Sequence, residues 1–169
     1  MNVIEENPPA RSIAEWRQQL EVKAAKPDPS FFHVRAQLPE QGRTNIVLGA
    51  TPLMSVVLKT YSSGGENELH AHPYEDHLFV IMQGSAKFYG PNGELKVAQK
   101  NDCVLLPRNS YYWFHAVEDD EALVMIRVGV ALDPSLDPLE RIDIDGKPFD
   151  GYSDANKEIP VVLSNDWFE

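Results

Sequence analysis

The sequence is poor in cysteine, and this scarcity limits how the fold can be stabilised. Its 169 residues include one cysteine, Cys103, so no disulfide can form within the chain. Such a composition fits a reducing compartment, and the cytoplasm is the expected location. Cys103 falls in a predicted strand, where we expect it to be buried and unreactive.

Basic residues and long apolar runs are also scarce. The chain has 15 lysines and arginines against 26 acidic residues, a net charge of −11. Such a surface repels phosphate backbones and anionic membranes, which argues against nucleic-acid and membrane partners. No apolar run approaches the roughly 18–20 residues of a membrane span, and the first residues lack the basic start and apolar segment of a signal peptide. A small-molecule partner remains the leading expectation.

The first 30 residues form an N-terminal arm with one predicted helix. Ser12 and Glu15 have the spacing of a capping box, in which a serine side chain caps the helix start. The helix would turn Trp16 and Leu20 toward the rest of the protein. It would end before Pro27, since proline disfavours helix in the preceding residue.

Residues 31–131 show a different pattern, with short apolar runs separated by turn residues. This pattern predicts an all-β fold, a sandwich or barrel, rather than alternating helices and strands. Residues 132–169 are rich in proline and aspartate but keep many apolar side chains, so we expect an ordered tail packed on the barrel or on a second subunit. The predicted strands are Phe31–Ala36, Asn45–Ala50, Leu53–Thr60, Glu68–His72, His77–Met82, Ala86–Tyr89, Leu95–Ala98, Cys103–Leu106, Tyr112–Val117 and Ala122–Val130.

Three of the five histidines lie within eight residues of one another, at positions 70, 72 and 77. In a strand, His70 and His72 would project from the same face, because alternate side chains point the same way. His77 begins a run that predicts a second, buried strand ending at Gly84. Imidazoles that converge from neighbouring strands are suitable ligands for a divalent metal.

The spacing of this cluster resembles the first motif of the cupin superfamily. Gly64, His70, His72 and Gly84 occupy motif positions, and His77 stands where the motif has glutamate. The second motif is matched by register: Pro107 is identical, while Asn101 and Asn109 replace glycines and Tyr112 replaces a histidine. Asparagine tolerates positive φ better than most residues, so those two replacements are mild. The resemblance implies a small RmlC-like jelly roll, a double-stranded β-helix with its metal site inside the barrel.

Carried over by position, the resemblance implies that His70, His72 and His77 bind the metal. Tyr112 would be a fourth ligand, or a neutral hydroxyl acting as acid, base or hydrogen-bond donor. Two alternatives remain for the ligand set. Asp76 would restore a carboxylate but is one residue out of register, and His115 would replace the missing histidine but has the opposite strand parity to Tyr112.

Other side chains would line the same cavity. Phe79, Ile81 and Phe114 share strand parity with His77 or Tyr112, which predicts a pocket for a planar or apolar molecule or simply a filled core. Arg127 is the one charge in an apolar strand. It would either clamp a substrate carboxylate or face solvent and pair with an acidic residue. His33 stands alone and is expected to be structural.

The leading hypothesis is a metal-dependent enzyme for a small organic molecule, specifically a non-haem Fe(II) dioxygenase with Tyr112 as the catalytic residue. Imidazoles also accept Zn, Ni, Cu, Co and Mn, so a lyase or isomerase with Tyr112 as acid or base is the second candidate. A non-catalytic cupin that binds a small ligand is the third. The apolar surface outside the barrel, in the helix and the tail, predicts a homodimer.

Overall fold

In a computed structural model, the described residues are 7–64, 67–117, 121–148, 150–153 and 159–169. Helix α1 spans Ile13–Ala24, and the Ser12 side chain caps it by accepting a hydrogen bond from the Glu15 backbone N–H at 3.1 Å. Trp16 and Leu20 are buried, as the apolar pattern predicts. Among the helices of the described ranges, none has the length and apolarity required to cross a bilayer.

Strands dominate the rest of the described chain and begin close to their predicted positions. They are β1 (Ala36–Gln41), β2 (Arg43–Ala50), β3 (Met54–Tyr61), β4 (Glu75–Gln83), β5 (Ser85–Gly90), β6 (Gly93–Gln99), β7 (Cys103–Leu106), β8 (Trp113–Ala116), β9 (Leu123–Ala131) and β10 (Val162–Phe168). Two predicted strands are wrong. The predicted strand Phe31–Ala36 reaches only the first residue of β1, and Glu68–His72 contributes only isolated bridges at His70 and Ala71.

The strands pair antiparallel in three sheets, as expected for a jelly roll. A five-stranded sheet has the order β2-β3-β9-β4-β7, and a three-stranded sheet has the order β6-β5-β8. A small third sheet joins β1 to β10. The C-terminal segment is therefore anchored by backbone hydrogen bonds to a strand near the start of the chain.

The two larger sheets enclose the barrel interior. Inward side chains alternate along β4, where Glu75, His77, Phe79 and Ile81 are all buried. Phe79 and Ile81 meet residues of β5, β6 and β8 in an aromatic and aliphatic core. Strand parity thus decides which residues of β4 reach the interior.

The opposite face of the five-stranded sheet carries a second apolar cluster, which includes Ile46, Leu48, Leu58 and Val124. Helix α1 packs through Trp16 and Leu20 in a third cluster with Val47 and Val57. Since Val57 shares strand parity with the inward residues of β3, the helix lies at the mouth of the barrel. Trp16 therefore reaches the cavity described below.

Tight turns link the strands at the motif positions. Gly84 has a φ of +66°, and an added Cβ would press on the backbone of Ala122 and Leu123, so glycine is required there. Asn101 and Asn109 have φ of 74° and 65°, the left-handed conformation expected at positions where the motif that the sequence resembles has glycine. Cys103 is exposed, which corrects the expectation that it is buried: it lies on β7, the edge strand of its sheet.

Candidate metal centre

The three clustered histidines converge inside the barrel. His70, His72 and His77 are 1%, 5% and 2% exposed. The ring centroids of His72 and His77 are 4.2 Å apart, and those of His70 and His72 are 5.1 Å apart. His77 is delivered by β4, whereas His70 is held by backbone hydrogen bonds to Tyr112 in both directions. The bridge at His70 therefore replaces the predicted strand and still brings the rings together.

Backbone carbonyls fix the tautomers of two of these histidines. Nδ1 of His70 lies 2.7 Å from the Glu68 carbonyl oxygen, and Nδ1 of His72 lies 3.2 Å from that of Glu140. A carbonyl can only accept, so each Nδ1 carries the proton and each lone pair is on Nε2. Histidine ligands of metals are typically oriented by such second bonds.

All three imidazoles are held neutral, the form that binds metals. Burial, followed by the charge of Arg141, lowers the pKa of His70 to about 3. Burial also lowers the pKa of His72 well below its usual value, with repulsion from His77 next in size. The pKa of His77 is lowered by burial and then by the Arg127 guanidinium. No proton therefore has to leave before a metal binds at neutral pH.

Glu75 is the carboxylate of this site, and the sequence motif does not identify it. It lies two residues before His77 on the same face of β4 and is 2% exposed. Its Oε2 accepts a hydrogen bond from His77 Nε2 at 2.7 Å and pairs with Arg127. Burial raises the pKa of Glu75, and the adjacent Arg127 opposes that rise. The motif could not identify Glu75, because Glu75 is closer to His72 than the motif allows. The sequence signal that would have identified it is its strand parity with His77.

His72, Glu75 and His77 form one compact donor group, with one ligand atom of each lying within 4.8 Å of the others. Two imidazoles and one carboxylate are the donors of the non-haem iron triad, and the same set also binds zinc. The donor chemistry, the neutral rings and the fixed tautomers fit a divalent metal. His70 lies at the edge of this group, next to His72.

Glu75 fits tightly over Gly129, which lies opposite His77 on β9. A Cβ at Gly129 would collide with the Glu75 carboxylate and would come within 3.0 Å of an Arg127 nitrogen. Glycine at this position therefore makes room for the buried carboxylate.

The structure does not bring the two alternative ligands into this group. Asp76 points to the outer face of β4, where it accepts hydrogen bonds from the Arg108 backbone N–H at 2.7 Å and side chain at 3.2 Å. His115 lies on the outer face of β8, and its Nε2 is 3.2 Å from the Tyr89 hydroxyl. Both follow from strand parity, since each is an odd number of residues from an inward neighbour. His33 is exposed and precedes β1.

Tyr112 lies within the site, with its hydroxyl 3.4 Å from His77 Nδ1. Burial raises the pKa of Tyr112, so the hydroxyl stays protonated near neutral pH. When neutral His77 donates from Nε2 to Glu75, its Nδ1 lone pair faces this hydroxyl. Tyr112 is therefore suited to donate a hydrogen bond or a proton, and less suited to the role of base.

A small cavity of about 10 Å³ lies at this cluster, enough for about one water molecule. Phe79 and Phe114 line it as predicted, whereas Ile81 packs in the adjoining core. The described lining residues are Trp16, Lys59, Asn67, His70, His72, His77, Phe79, Tyr112, Phe114, Arg127, Leu139 and Arg141.

Arg127 is 2% exposed, which excludes the surface-facing alternative. It pairs with Glu75, lies 2.8 Å from His77 Nε2 and donates to the Ser55 hydroxyl at 3.3 Å. Lys59 and Arg141 also line the cavity, and no sequence pattern marks them as site residues. Lys59 is placed by β3 next to β9, and Arg141 comes from the proline-rich segment after the barrel, so only the tertiary structure brings them together.

Comparison with known proteins places a family domain over this part of the chain. The family model described as "Cupin domain" matches residues 57–129, a range that includes His70, His72, Glu75, His77 and Arg127. No curated protein matches the chain in sequence.

Solved structures similar to this one share little sequence with it. KdgF from Halomonas sp. is 18% identical, with 53% of this chain and 81% of that chain covered and a TM-score of 0.48. An RmlC-like cupin from Shewanella frigidimarina is 16% identical, with coverage of 56% and 84% and a TM-score of 0.47. A sugar phosphate isomerase of the cupin superfamily from Silicibacter pomeroyi is 18% identical, with coverage of 66% and 83% and a TM-score of 0.48.

Proposed function

Since this chain belongs to the cupin superfamily through its domain at residues 57–129, we propose that it is a metal-dependent enzyme, specifically a non-haem Fe(II) dioxygenase for a small organic molecule. The observation that carries the proposal is the buried group of His72, Glu75 and His77. His72, Glu75 and His77 would hold iron(II), and the bound ion would supply open coordination positions for substrate and dioxygen.

The protein's own residues supply orientation and a proton. Glu68 and Glu140 hold His70 and His72 through their carbonyl oxygens, and Glu75 holds His77 at Nε2. The protonated Tyr112 hydroxyl faces the same cavity and would donate a hydrogen bond or a proton to oxygen that becomes more basic during the reaction. Phe79, Phe114 and Trp16 line the cavity and exclude bulk water from the reacting groups.

The test begins with metal content. Wild type, His77→Ala and His115→Ala would be reconstituted anaerobically with Fe(II), desalted and analysed for iron. Both variants lose one partly or fully buried histidine, but only His77 lies in the donor group. We expect about one iron per chain in wild type and His115→Ala, and a 10- to 100-fold or larger loss of iron affinity in His77→Ala. Equal iron in all three proteins would remove the proposed centre.

Activity is tested separately by dioxygen uptake with diketones, catechols and hydroxy acids. Stoichiometric substrate-dependent uptake in the iron-loaded wild type, abolished in His77→Ala, would support oxygenation. Iron binding without uptake on any of these compounds would count against the dioxygenase while leaving the metal centre in place.

A second candidate, a lyase or isomerase that uses the metal as Lewis acid, is favoured by one observation: the Tyr112 hydroxyl lies at the cavity, 3.4 Å from His77 Nδ1, where it is placed for acid or base chemistry. Turnover under strict anaerobiosis with Zn or Ni, lost in Tyr112→Phe, would select this reaction class. Turnover that requires dioxygen would reject it.

A further inference from the structure

The cavity beside the metal-binding group is lined by three buried cations and, among the described lining residues, no carboxylate. Lys59, Arg127 and Arg141 are 4%, 2% and 6% exposed. Among the described buried residues Glu75 is the one acid, and it pairs with Arg127, so Lys59 and Arg141 have no buried carboxylate partner in that part of the chain. This imbalance occurs inside a protein whose net charge is −11.

Lys59 and Arg141 have few partners for buried cations. Within the described part of the chain, the Lys59 ammonium makes no hydrogen bond and lies over the rings of Trp16 and Tyr61, at 5.3 and 5.5 Å from their centroids. Arg141 donates to Asn67 Oδ1 at a long 3.4 Å, and its Nε has no acceptor among the described residues. Burying a charge without a partner is costly, so these two groups have unused capacity for an anion.

Repulsion among the cations supports the same conclusion. Burial lowers the pKa of Lys59 well below its usual value, and the charges of Arg141 and Arg127 lower it further. Burial and the neighbouring Arg43 likewise lower the pKa of Arg141. A divalent metal on neutral imidazoles would add two more positive charges to this region. An anion bound between the metal and these cations would offset the positive charge of both.

We infer that the substrate or ligand is a small organic carboxylate, bound by Lys59 and Arg141 beside the metal-binding group; the inference rests on the proposed metal centre. The planar guanidinium of Arg141 suits a carboxylate, and Lys59 adds a point charge in the same cavity. The cavity of about 10 Å³ has room for about one water molecule, so a bound carboxylate requires α1 or the segment after β9 to shift, which favours a compact anion. Phe79 and Tyr112 line the cavity and supply an apolar wall for a short carbon chain.

The roof of the cavity comes from outside the barrel. Trp16 is carried by α1, and Leu139 and Arg141 by the segment after β9, which is attached through two 3.0 Å backbone hydrogen bonds between Ala71 and Ile142. Arg141 packs closely on Gly151, where an added Cβ would clash with its guanidinium. The carboxylate would therefore be enclosed by the same segment that supplies one of its cations.

The test measures binding of pyruvate, glycolate and succinate by calorimetry, with inorganic phosphate and acetate as comparison anions. It uses metal-free and Zn-loaded wild type, Lys59→Met, Arg141→Gln and the control Lys96→Met. Lys96 is exposed on β6, so its replacement changes net charge equally without touching the cavity. Zinc content and thermal midpoint are recorded for each protein, so that a misfolded variant is recognised.

We expect at least one of the three carboxylates to bind the Zn-loaded wild type, with affinity about tenfold or more lower in Lys59→Met and Arg141→Gln and unchanged in Lys96→Met. By reciprocity, that carboxylate should raise zinc affinity by the same factor by which zinc raises carboxylate affinity. Zinc binding without carboxylate binding overturns this inference but leaves the metal centre. Absence of zinc binding overturns the metal centre. Preferential binding of phosphate, or equal loss in Lys96→Met, also overturns the inference.

Discussion

At one end of β4, Phe79 and Ile81 pack among aromatic and aliphatic side chains, whereas at the other end Glu75 and His77 lie among buried cations. The side chains at both ends of β4 alternate in the same way and point into the barrel, and those at both ends are almost fully excluded from solvent. The difference is how the buried groups are stabilised. Apolar side chains gain from burial itself, while the charged groups depend on partners that must all be present.

The two ends also differ in which elements close them. The apolar end is closed by strands of the barrel, β5, β6 and β8. The polar end is covered by Trp16 of α1 and by Leu139 and Arg141 from beyond β9. The residues that stabilise the barrel and the residues that would bind the metal therefore lie at different ends of it. A substitution at one end should change the property of that end and leave the other unchanged.

Replacing Glu75 should have the largest combined effect on stability and metal binding, because it breaks both the ion pair with Arg127 and the metal-binding group. We expect Glu75→Gln to lower the free energy of unfolding by about 3–5 kcal/mol, since Arg127 is left as an uncompensated buried charge, and to weaken metal binding. Denaturant unfolding and metal analysis measure the two effects.

The matched control is Asp76→Asn, which neutralises the adjacent carboxylate on the outer face of the same strand. Its ion pair with Arg108 is solvent-exposed, so the loss should be at most about 1 kcal/mol with no change in metal content. If the two substitutions gave equal effects, the inner position of Glu75 would have no special role.

Phe88→Ala should separate stability from chemistry. Phe88 is 2% exposed in the apolar end and contacts Phe79 and Phe114, but it does not line the cavity. Its truncation should cost about 3–5 kcal/mol of unfolding free energy through lost burial and a residual void. Metal bound per folded chain should stay at the wild-type level; its loss would mean that the two ends are not independent.

The sequence allowed the apolar end to be predicted better than the polar end. The alternation of apolar and polar residues predicted β7 at its observed bounds and β4 within two residues. A strand that buries one face shows this alternation because every second side chain is apolar. The predicted strand Phe31–Ala36 was wrong, because the observed strand β1 begins at Ala36 and pairs with β10, which lies more than a hundred residues later in the chain. Alternation cannot reveal such a distant partner.

At the site, the histidines were identifiable because three lie close together at motif spacing. Glu75 was not, since its inward direction depends on β4 beginning two residues earlier than predicted. Lys59 and Arg141 were missed because a single charge in a strand or loop ordinarily faces solvent. Their burial depends on α1 and the segment after β9 closing over them, which no local pattern contains.

Lowering the pH should destabilise the polar end of the barrel first. The expected loss of unfolding free energy is the smallest of the three predicted losses. His70, His72 and His77 have pKa values lowered by burial, so below about pH 6.5 the unfolded chain binds protons that the folded chain excludes. Stability should therefore fall with decreasing pH, by about 2 kcal/mol between pH 7 and 6 for three such groups. The lowered pKa of Lys59 acts in the same direction, and the raised pKa of Glu75 opposes it.

Denaturant unfolding of metal-free protein at pH 5.5 to 8 measures this slope. His70→Asn removes one excluded proton and should flatten the slope by about one third, whereas His33→Asn alters an exposed histidine and should leave it unchanged. A slope equal in all three proteins would show that the buried histidines are not what acid acts on. A flattened slope only in His70→Asn would assign the acid sensitivity to the end of the barrel that holds the metal-binding group, and Phe88→Ala, at the other end, should then lower stability equally at every pH.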